Sequence, residues 1–185
     1  MQSKNDFRRC WLTKRVFQRA FSIVEILLVL AIFGVLLLIV MPYGHELTGK
    51  NRALAYADEI RAALRFTRSS AILLGEPVTF CGSKNHKKCD GLWIDGQIII
   101  SDSGNVLRVL SKIFSGDKLR WKSSLGKNDG IVFLPTGFTK GQQLGSFFYC
   151  PKNNTDDALA VILSSTGRAR ISDRDAEGRR ISCNF

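Results

Sequence analysis

The sequence contains few of the residues that catalytic and metal sites use most. Only two of its 185 residues are histidines, and its five cysteines include no C-x-x-C pair of the kind that binds zinc. His45 and Glu46 begin like a zinc-protease motif, but no second histidine follows at the required spacing. Residues 44–51 approach a phosphate-loop pattern, but Asn51 replaces the Ser or Thr and no strand precedes it. We therefore predict a protein that is not an enzyme and holds no metal or cofactor.

Acidic residues are also scarce. Lys and Arg total 27 against 16 Asp and Glu, which gives a net charge of +11. Residues 1–20 carry +5 of this charge and residues 21–185 carry the remaining +6. Such a balance favours polyanions or anionic membrane surfaces as partners, although a merely solvated basic surface is the alternative.

One long apolar run, residues 21–41, holds a single charge at Glu25. A helix of this length spans about 30 Å, the thickness of a membrane core. No small-residue cleavage site follows it, which argues against a secretory signal peptide. The basic residues lie before the run, so we expect a cytoplasmic N-terminus and an exported C-terminal part. A carboxylate inside a membrane helix is unfavourable unless it is paired or lies at the headgroup level.

The cysteines divide unevenly around this run. Cys10 precedes it, and the other four follow it on the expected exported side, where two disulfides are predicted. Three pairings are possible. Cys81–Cys89 is favoured because it closes a short polar loop, and Cys150–Cys183 then follows by elimination. A zinc site is the competing interpretation.

The exported part begins with helical periodicity and continues with strand-like runs. Apolar residues of 45–74 recur at helical spacing, and Gly75-Glu76-Pro77 should end this amphipathic helix. The later runs are rich in β-forming residues and separated by turn residues, which predicts an antiparallel meander packed on the helix, an α+β fold. The predicted strands are Val78–Cys81, Leu92–Ile100, Val106–Phe114, Leu119–Lys122, Ile131–Leu134, Ser146–Cys150 and Leu159–Leu163.

A basic stretch follows the last of these strands. Gly167 permits a tight turn, and in an extended backbone Arg168 and Arg170 would point the same way, about 7 Å apart. Two guanidinium groups at this spacing can engage successive phosphates. The tail adds Arg174, Arg179 and Arg180, but it also contains Asp173, Asp175 and Glu177, which could neutralise them.

The residues around the start of the apolar run carry a family resemblance. Residues 19–25, RAFSIVE, resemble the processing site of type IV pilins and type II secretion pseudopilins. The resemblance implies that a prepilin peptidase cuts between Ala20 and Phe21 and methylates Phe21. It also implies that Glu25 pairs with the α-amino group of a neighbouring subunit during assembly. The family usually has Gly before the cut, where this sequence has Ala20.

The string Gly167-Arg168-Ala169-Arg170 resembles that of FimT-type minor pilins of the GspH/FimT family. The resemblance implies a type IV pilin-like fold, with one long N-terminal helix on an antiparallel sheet. It also implies sequence-independent binding of extracellular double-stranded DNA during natural transformation, with Gly167, Arg168 and Arg170 as the site and Arg174, Arg179 and Arg180 in support. The alternative is a GspH-type pseudopilin, a structural part of a type II secretion system.

The same resemblance fixes the expected organisation of the chain. It comprises a cleaved leader over residues 1–20, a transmembrane helix over 21–41, its amphipathic continuation over 42–75 and a β domain with a basic tail over 76–185. The expected location is the inner membrane, as a single-pass protein, and then the periplasm and a surface pilus with other pilin subunits.

Overall fold

The computed structural model describes residues 22–40, 43–110, 112–124, 126, 130–152 and 155–184. The chain divides into two compact units, one up to residue 41 and one from residue 42 onward. The second unit contains the main hydrophobic core and both disulfides, so it has the elements of an independently folding domain.

The first unit contains helix α1, Ile23–Val40, with Glu25 in its first turn. Within the described residues, no helix is both long enough and apolar enough to cross a membrane. The predicted span, residues 21–41, extends at both ends past the described residues, as does the predicted cleavage site between Ala20 and Phe21. The membrane span and its continuity with the next helix stay predictions.

Helix α2, Tyr43–Leu74, opens the second unit and agrees with the predicted amphipathic helix. Gly75 follows it with φ of 69°, a left-handed conformation typical of the residue that ends a helix. The apolar residues predicted to form one stripe include Ala57, Ile60, Leu64 and Ala71, which are buried, and Leu54 and Leu74, which are exposed. The buried face of α2 contains Ala53, Tyr56, Ala57, Ile60, Ala63, Leu64, Thr67 and Ala71.

The described part of the chain contains eight strands in two antiparallel sheets, so the prediction of one meander is wrong. The strands are β1 Val78–Gly82, β2 Gln97–Ser101, β3 Val106–Leu110, β4 Lys118–Ser123, β5 Ile131–Phe133, β6 Gly145–Cys150, β7 Leu159–Leu163 and β8 Ala169–Ser172. The first sheet has the order β3-β2-β1-β5 and the second β4-β6-β7-β8. After β3 the chain forms β4 in the second sheet, then adds β5 beside β1 in the first sheet, and then forms the rest of the second sheet.

The predicted strand Leu92–Ile100 is shortened to its second half by a turn. The Asp95 carboxylate accepts a hydrogen bond from the Leu92 backbone N–H, and the Asp95 N–H donates to the Leu92 carbonyl. This turn directs Trp93 into the core, where it is 8% exposed. The predicted strand Val106–Phe114 likewise ends at Leu110, and Phe114 is exposed.

Helix α2 packs against both sheets and shares one core with them. The sheet residues of this core are Val78, Phe80, Ile99, Leu110, Ile131, Phe133, Leu119, Trp121, Phe147, Tyr149, Val161 and Leu163. Both predicted disulfides are present, Cys81–Cys89 and Cys150–Cys183, with Cα separations of 5.6 and 5.9 Å. The second fastens the tail after β8 to the end of β6, beside the small apolar cluster of Ala158 and Ile181.

Two buried tyrosines stack between α2 and the second sheet. The rings of Tyr56 and Tyr149 lie 4.9 Å apart. Tyr56 donates a hydrogen bond to Gln97 Oε1 at 3.1 Å, and Tyr149 donates to the buried carboxylate of Asp117. Burial raises the pKa of both hydroxyls above the ordinary value, and for Tyr149 the hydrogen bond to Asp117 adds to the effect.

This pair predicts a loss of stability in alkali. A raised folded-state pKa means that the stabilisation is complete below pH 10, where tyrosine ionises in the unfolded chain, and is lost as pH rises further. Each tyrosine should lower the free energy of unfolding by about 1.4 kcal/mol per pH unit above 10. Urea titrations of the second unit at pH 9 and 11 measure this decline. Tyr149→Phe should remove about half of it, and an unchanged decline would contradict the assignment.

Candidate functional site

The basic string lies in the hairpin that joins β7 to β8. The Ser164 backbone N–H donates to the Arg168 carbonyl at 2.9 Å, and the Gly167 N–H donates to the Ser164 carbonyl at 2.9 Å, which closes the turn. Gly167 has φ of 76°. A Cβ there would lie 2.8 Å from Phe133 Cε1 and 2.9 Å from the Gly137 carbonyl oxygen, so this position requires glycine on both counts.

Side chains alternate along β8 as the extended backbone predicts. Ala169 and Ile171 pack against the core, whereas Arg168 and Arg170 are exposed. Strand β8 is an edge of the second sheet, and its other neighbour is helix α2. The two arginines therefore stand where the helix and the sheet edge meet.

Two arginines of α2 join them in one open groove. Arg65 and Arg68 line it together with Arg168 and Arg170, and its volume is about 740 Å³. Arg68 lies close to two glycine turns, the one at Gly167 and the one at Gly137 after β5. A Cβ on Gly137 would lie 3.2 Å from Arg68 Nε, and a Cβ on Gly167 would lie 3.5 Å from Arg68 Cδ. We call Arg65, Arg68, Arg168 and Arg170 the groove arginines.

The groove arginines carry uncompensated charge. Among the described residues, none of the four lies within 4.0 Å of a carboxylate oxygen, whereas Arg52, Arg61 and Arg179 do. Like charges gathered on the walls of one groove create a positive potential that concentrates anions. Guanidinium groups hold phosphate and carboxylate oxygens in a bidentate manner, so the groove has the chemistry of a polyanion site.

The tail arginines differ from the groove arginines. Arg179 pairs with Asp175 at 2.9 Å and with Glu177 at 3.0 Å, and these contacts raise its pKa. Burial of Asp175 raises the pKa of its carboxyl, but hydrogen bonds from the Arg179 backbone and guanidinium outweigh this effect and the pKa lies below its ordinary value. Arg174 donates to the Gly178 carbonyl at 3.0 Å. The tail acids thus neutralise Arg179.

The tail lies over the outer face of the second sheet, the face opposite the core. Phe148, which points outward from β6, lines a groove of about 370 Å³ together with Arg179, Arg180, Arg120 and Lys122. Arg120 and Lys122 belong to β4, at the other edge of the sheet from β8. A second basic cluster therefore occupies the same face as Arg170.

Part of this arrangement follows from the sequence. The alternation of side chains in an extended strand predicts that Arg168 and Arg170 lie on one face, whereas the predicted site does not include Arg65, Arg68, Arg120 or Lys122. The helical residues carry a usable signal, because positions three apart lie on the same face of a helix. Nothing in the local pattern, however, places that helix beside β8. Glu25 lies in α1, and Ala20 and Phe21 lie outside the described residues.

One protein-family model matches most of the second unit. The model described as "Type II transport protein GspH" matches residues 56–167. This is more than half of the chain, so the chain belongs to the GspH family. The match ends at Gly167, and the arginines of the β8 strand and the tail lie beyond it. No curated protein sequence matches.

Two solved structures are similar to this chain. The type IV minor pilin FimU of Pseudomonas aeruginosa is 22% identical with a TM-score of 0.52, and the alignment covers 68% of this chain and 92% of FimU. The minor pseudopilin EpsH of the Vibrio cholerae type II secretion system is 12% identical with a TM-score of 0.49, over 73% of this chain and 99% of EpsH. The likeness to FimU supports a pilin-like α+β fold and nothing finer.

Proposed function

We propose that this protein is a minor pilin of a type IV pilus that binds double-stranded DNA outside the cell for uptake in natural transformation. The groove between α2 and β8 is the single observation that carries the proposal. Four guanidinium groups converge there without carboxylate partners among the described residues. The primary contacts are Arg168 and Arg170, and Arg65 and Arg68 lie beside them. Arg174 and Arg180 of the tail give additional support.

The partner follows from the chemistry of the groove. A duplex carries one negative charge per about 1.7 Å of its axis, so it can satisfy several guanidinium groups at once. Contacts to phosphates position a duplex without reading its bases, so binding should be indifferent to sequence. Several subunits along one filament would raise the weak affinity of each by avidity.

A titration of labelled duplex tests this proposal. We expect the full chain in detergent micelles to bind a 20-base-pair duplex at low salt. The double variant Arg168→Gln with Arg170→Gln should bind on the order of 100-fold more weakly, because each charge-assisted hydrogen bond contributes about 1.5 kcal/mol or more. The slope of log affinity against log salt should become shallower by about 1.8, or about 0.9 per lost phosphate contact.

Two further variants distinguish binding at this site from a general effect of net charge. Arg108→Gln with Lys87→Gln removes the same charge from the first sheet and its disulfide loop, and should leave binding nearly unchanged. Arg168→Lys with Arg170→Lys keeps the charge but loses the bidentate geometry, so its affinity should be intermediate. Equal losses in the groove variant and the first-sheet variant would contradict the site.

The second candidate function is a pseudopilin of a type II secretion system. The family description favours it directly, since the matching model is that of a type II transport protein. Such a subunit would bind other pseudopilins and have no use for the groove arginines. Absence of duplex binding by the unmodified chain at low salt would favour this function.

Both functions share the same proposed maturation. Cleavage between Ala20 and Phe21 by prepilin peptidase would leave Phe21 as a methylated N-terminus, anchored by residues 21–41 in the inner membrane. Glu25 would then pair with the α-amino group of a neighbouring subunit, since an ion pair is tolerated in a low-dielectric environment where a lone charge is not.

A further inference from the structure

The outer face of the second sheet carries basic residues at both of its edges. Arg170 of β8 lies opposite Ile162 of β7, Ile162 opposite Ser146 of β6, and Ser146 opposite Lys122 of β4. Residues directly opposite in neighbouring strands point to the same face of a sheet. Lys122 and Arg170 therefore stand at the two ends of one row that crosses the whole sheet.

A second cluster surrounds Lys122. Arg120 lies two residues earlier on β4, so it points to the same face, and Arg180 comes from the tail. Asp175 lines the same groove but is engaged by Arg179, so the groove keeps a positive balance. We call Arg120, Lys122 and Arg180 the edge cluster.

We propose that one DNA duplex lies across this face and contacts the groove arginines with one strand and the edge cluster with the other. This inference rests on the proposed function. Three strand spacings separate β4 from β8, which is about 14 Å. The major groove of B-DNA is about 12 Å wide, so long side chains at the two edges can reach phosphates on both sides of one groove.

The arrangement also predicts which form of DNA is preferred. A duplex holds its two strands at a fixed spacing, so it can engage both clusters without being ordered first. A single strand is flexible and must lose conformational freedom to bridge them. The edge cluster should therefore contribute more to duplex binding than to single-strand binding.

The decisive variant is Lys122→Gln with Arg180→Gln, in the full chain in detergent micelles. Fluorescence anisotropy with a labelled 20-base-pair duplex should show about tenfold weaker binding and a salt slope shallower by about 1.8. The ratio of duplex affinity to the affinity for a 20-nucleotide single strand should fall as well. The matched control is again Arg108→Gln with Lys87→Gln, which removes two positive charges from the first sheet and its disulfide loop.

Each outcome has a distinct meaning. If the edge variant binds duplex as the unmodified chain does while the groove variant loses binding, the bridging inference is wrong and the proposed function stands. An equal loss of duplex binding in the control variant would also overturn the bridging inference, because net charge alone would then explain the effect. If the unmodified chain binds no duplex at low salt, the proposed function fails, and this inference fails with it.

Discussion

Gly167→Ala is expected to destabilise the second unit by about 2–5 kcal/mol, because two effects add. The left-handed backbone conformation, with φ of 76°, disfavours any residue with a Cβ by about 1–2 kcal/mol. The new methyl group would also lie 2.8 Å from Phe133 and 2.9 Å from the Gly137 carbonyl oxygen, and such overpacking costs about 1–3 kcal/mol. Urea titration followed by tryptophan fluorescence measures the loss.

Gly178 provides a matched control in the same chain. Its φ is 82°, but a Cβ there would meet no atom within 4 Å. Gly178→Ala should therefore show the conformational cost alone, about 1–2 kcal/mol. Both substitutions restrict the unfolded chain alike, so the difference between them isolates the contact with Phe133 and Gly137. Equal losses would mean that the Gly167 turn can move away from β5.

The same glycine explains why the basic string has its form. Gly167 lets the turn approach Gly137 and Phe133 closely, and this approach places the next residue, Arg168, at the rim of the groove beside Arg68. The same packing thus requires glycine at position 167 and sets the position of Arg168. A variant that displaces the turn should weaken both folding and anion binding.

Local patterns predicted elements better than they predicted their partners. Strand β7, Leu159–Leu163, was predicted to the residue, and α2 within two residues at each end. The single meander was wrong because β5 pairs with β1, about fifty residues earlier, and not with β4. A period of two identifies a strand and its buried face, but it does not say which strand lies beside it.

The candidate site divides in the same way. Alternation placed Arg168 and Arg170 on one face, which is a local property of β8. The contributions of Arg65, Arg68 and Lys122 depend on how α2 and β4 are arranged around the second sheet, which is a tertiary property. From the sequence, Asp173, Asp175 and Glu177 could neutralise the tail arginines, and in the structure Asp175 and Glu177 pair with Arg179.

Removing the Cys150–Cys183 disulfide should destabilise the second unit by about 4 kcal/mol. Its cysteines are 33 residues apart, and loop-closure entropy of the unfolded chain gives about that value for such a loop. Cys81–Cys89 closes a loop of only 8 residues, so its removal should cost less, about 2.5 kcal/mol. The experiment measures urea unfolding of two double variants. One carries both Cys150→Ala and Cys183→Ala, and the other carries both Cys81→Ala and Cys89→Ala.

The two disulfides should also differ in their effect on the outer face of the second sheet. Cys183 fastens the tail that carries Arg180, whereas the Cys81–Cys89 loop leaves from the first sheet. Loss of the Cys150–Cys183 disulfide should therefore weaken duplex binding, as the double variant Lys122→Gln with Arg180→Gln is expected to do. Loss of the Cys81–Cys89 disulfide should leave duplex binding unchanged. The reverse order, in stability or in binding, would mean that the tail is held in place by Ile181 and its neighbours without the covalent link.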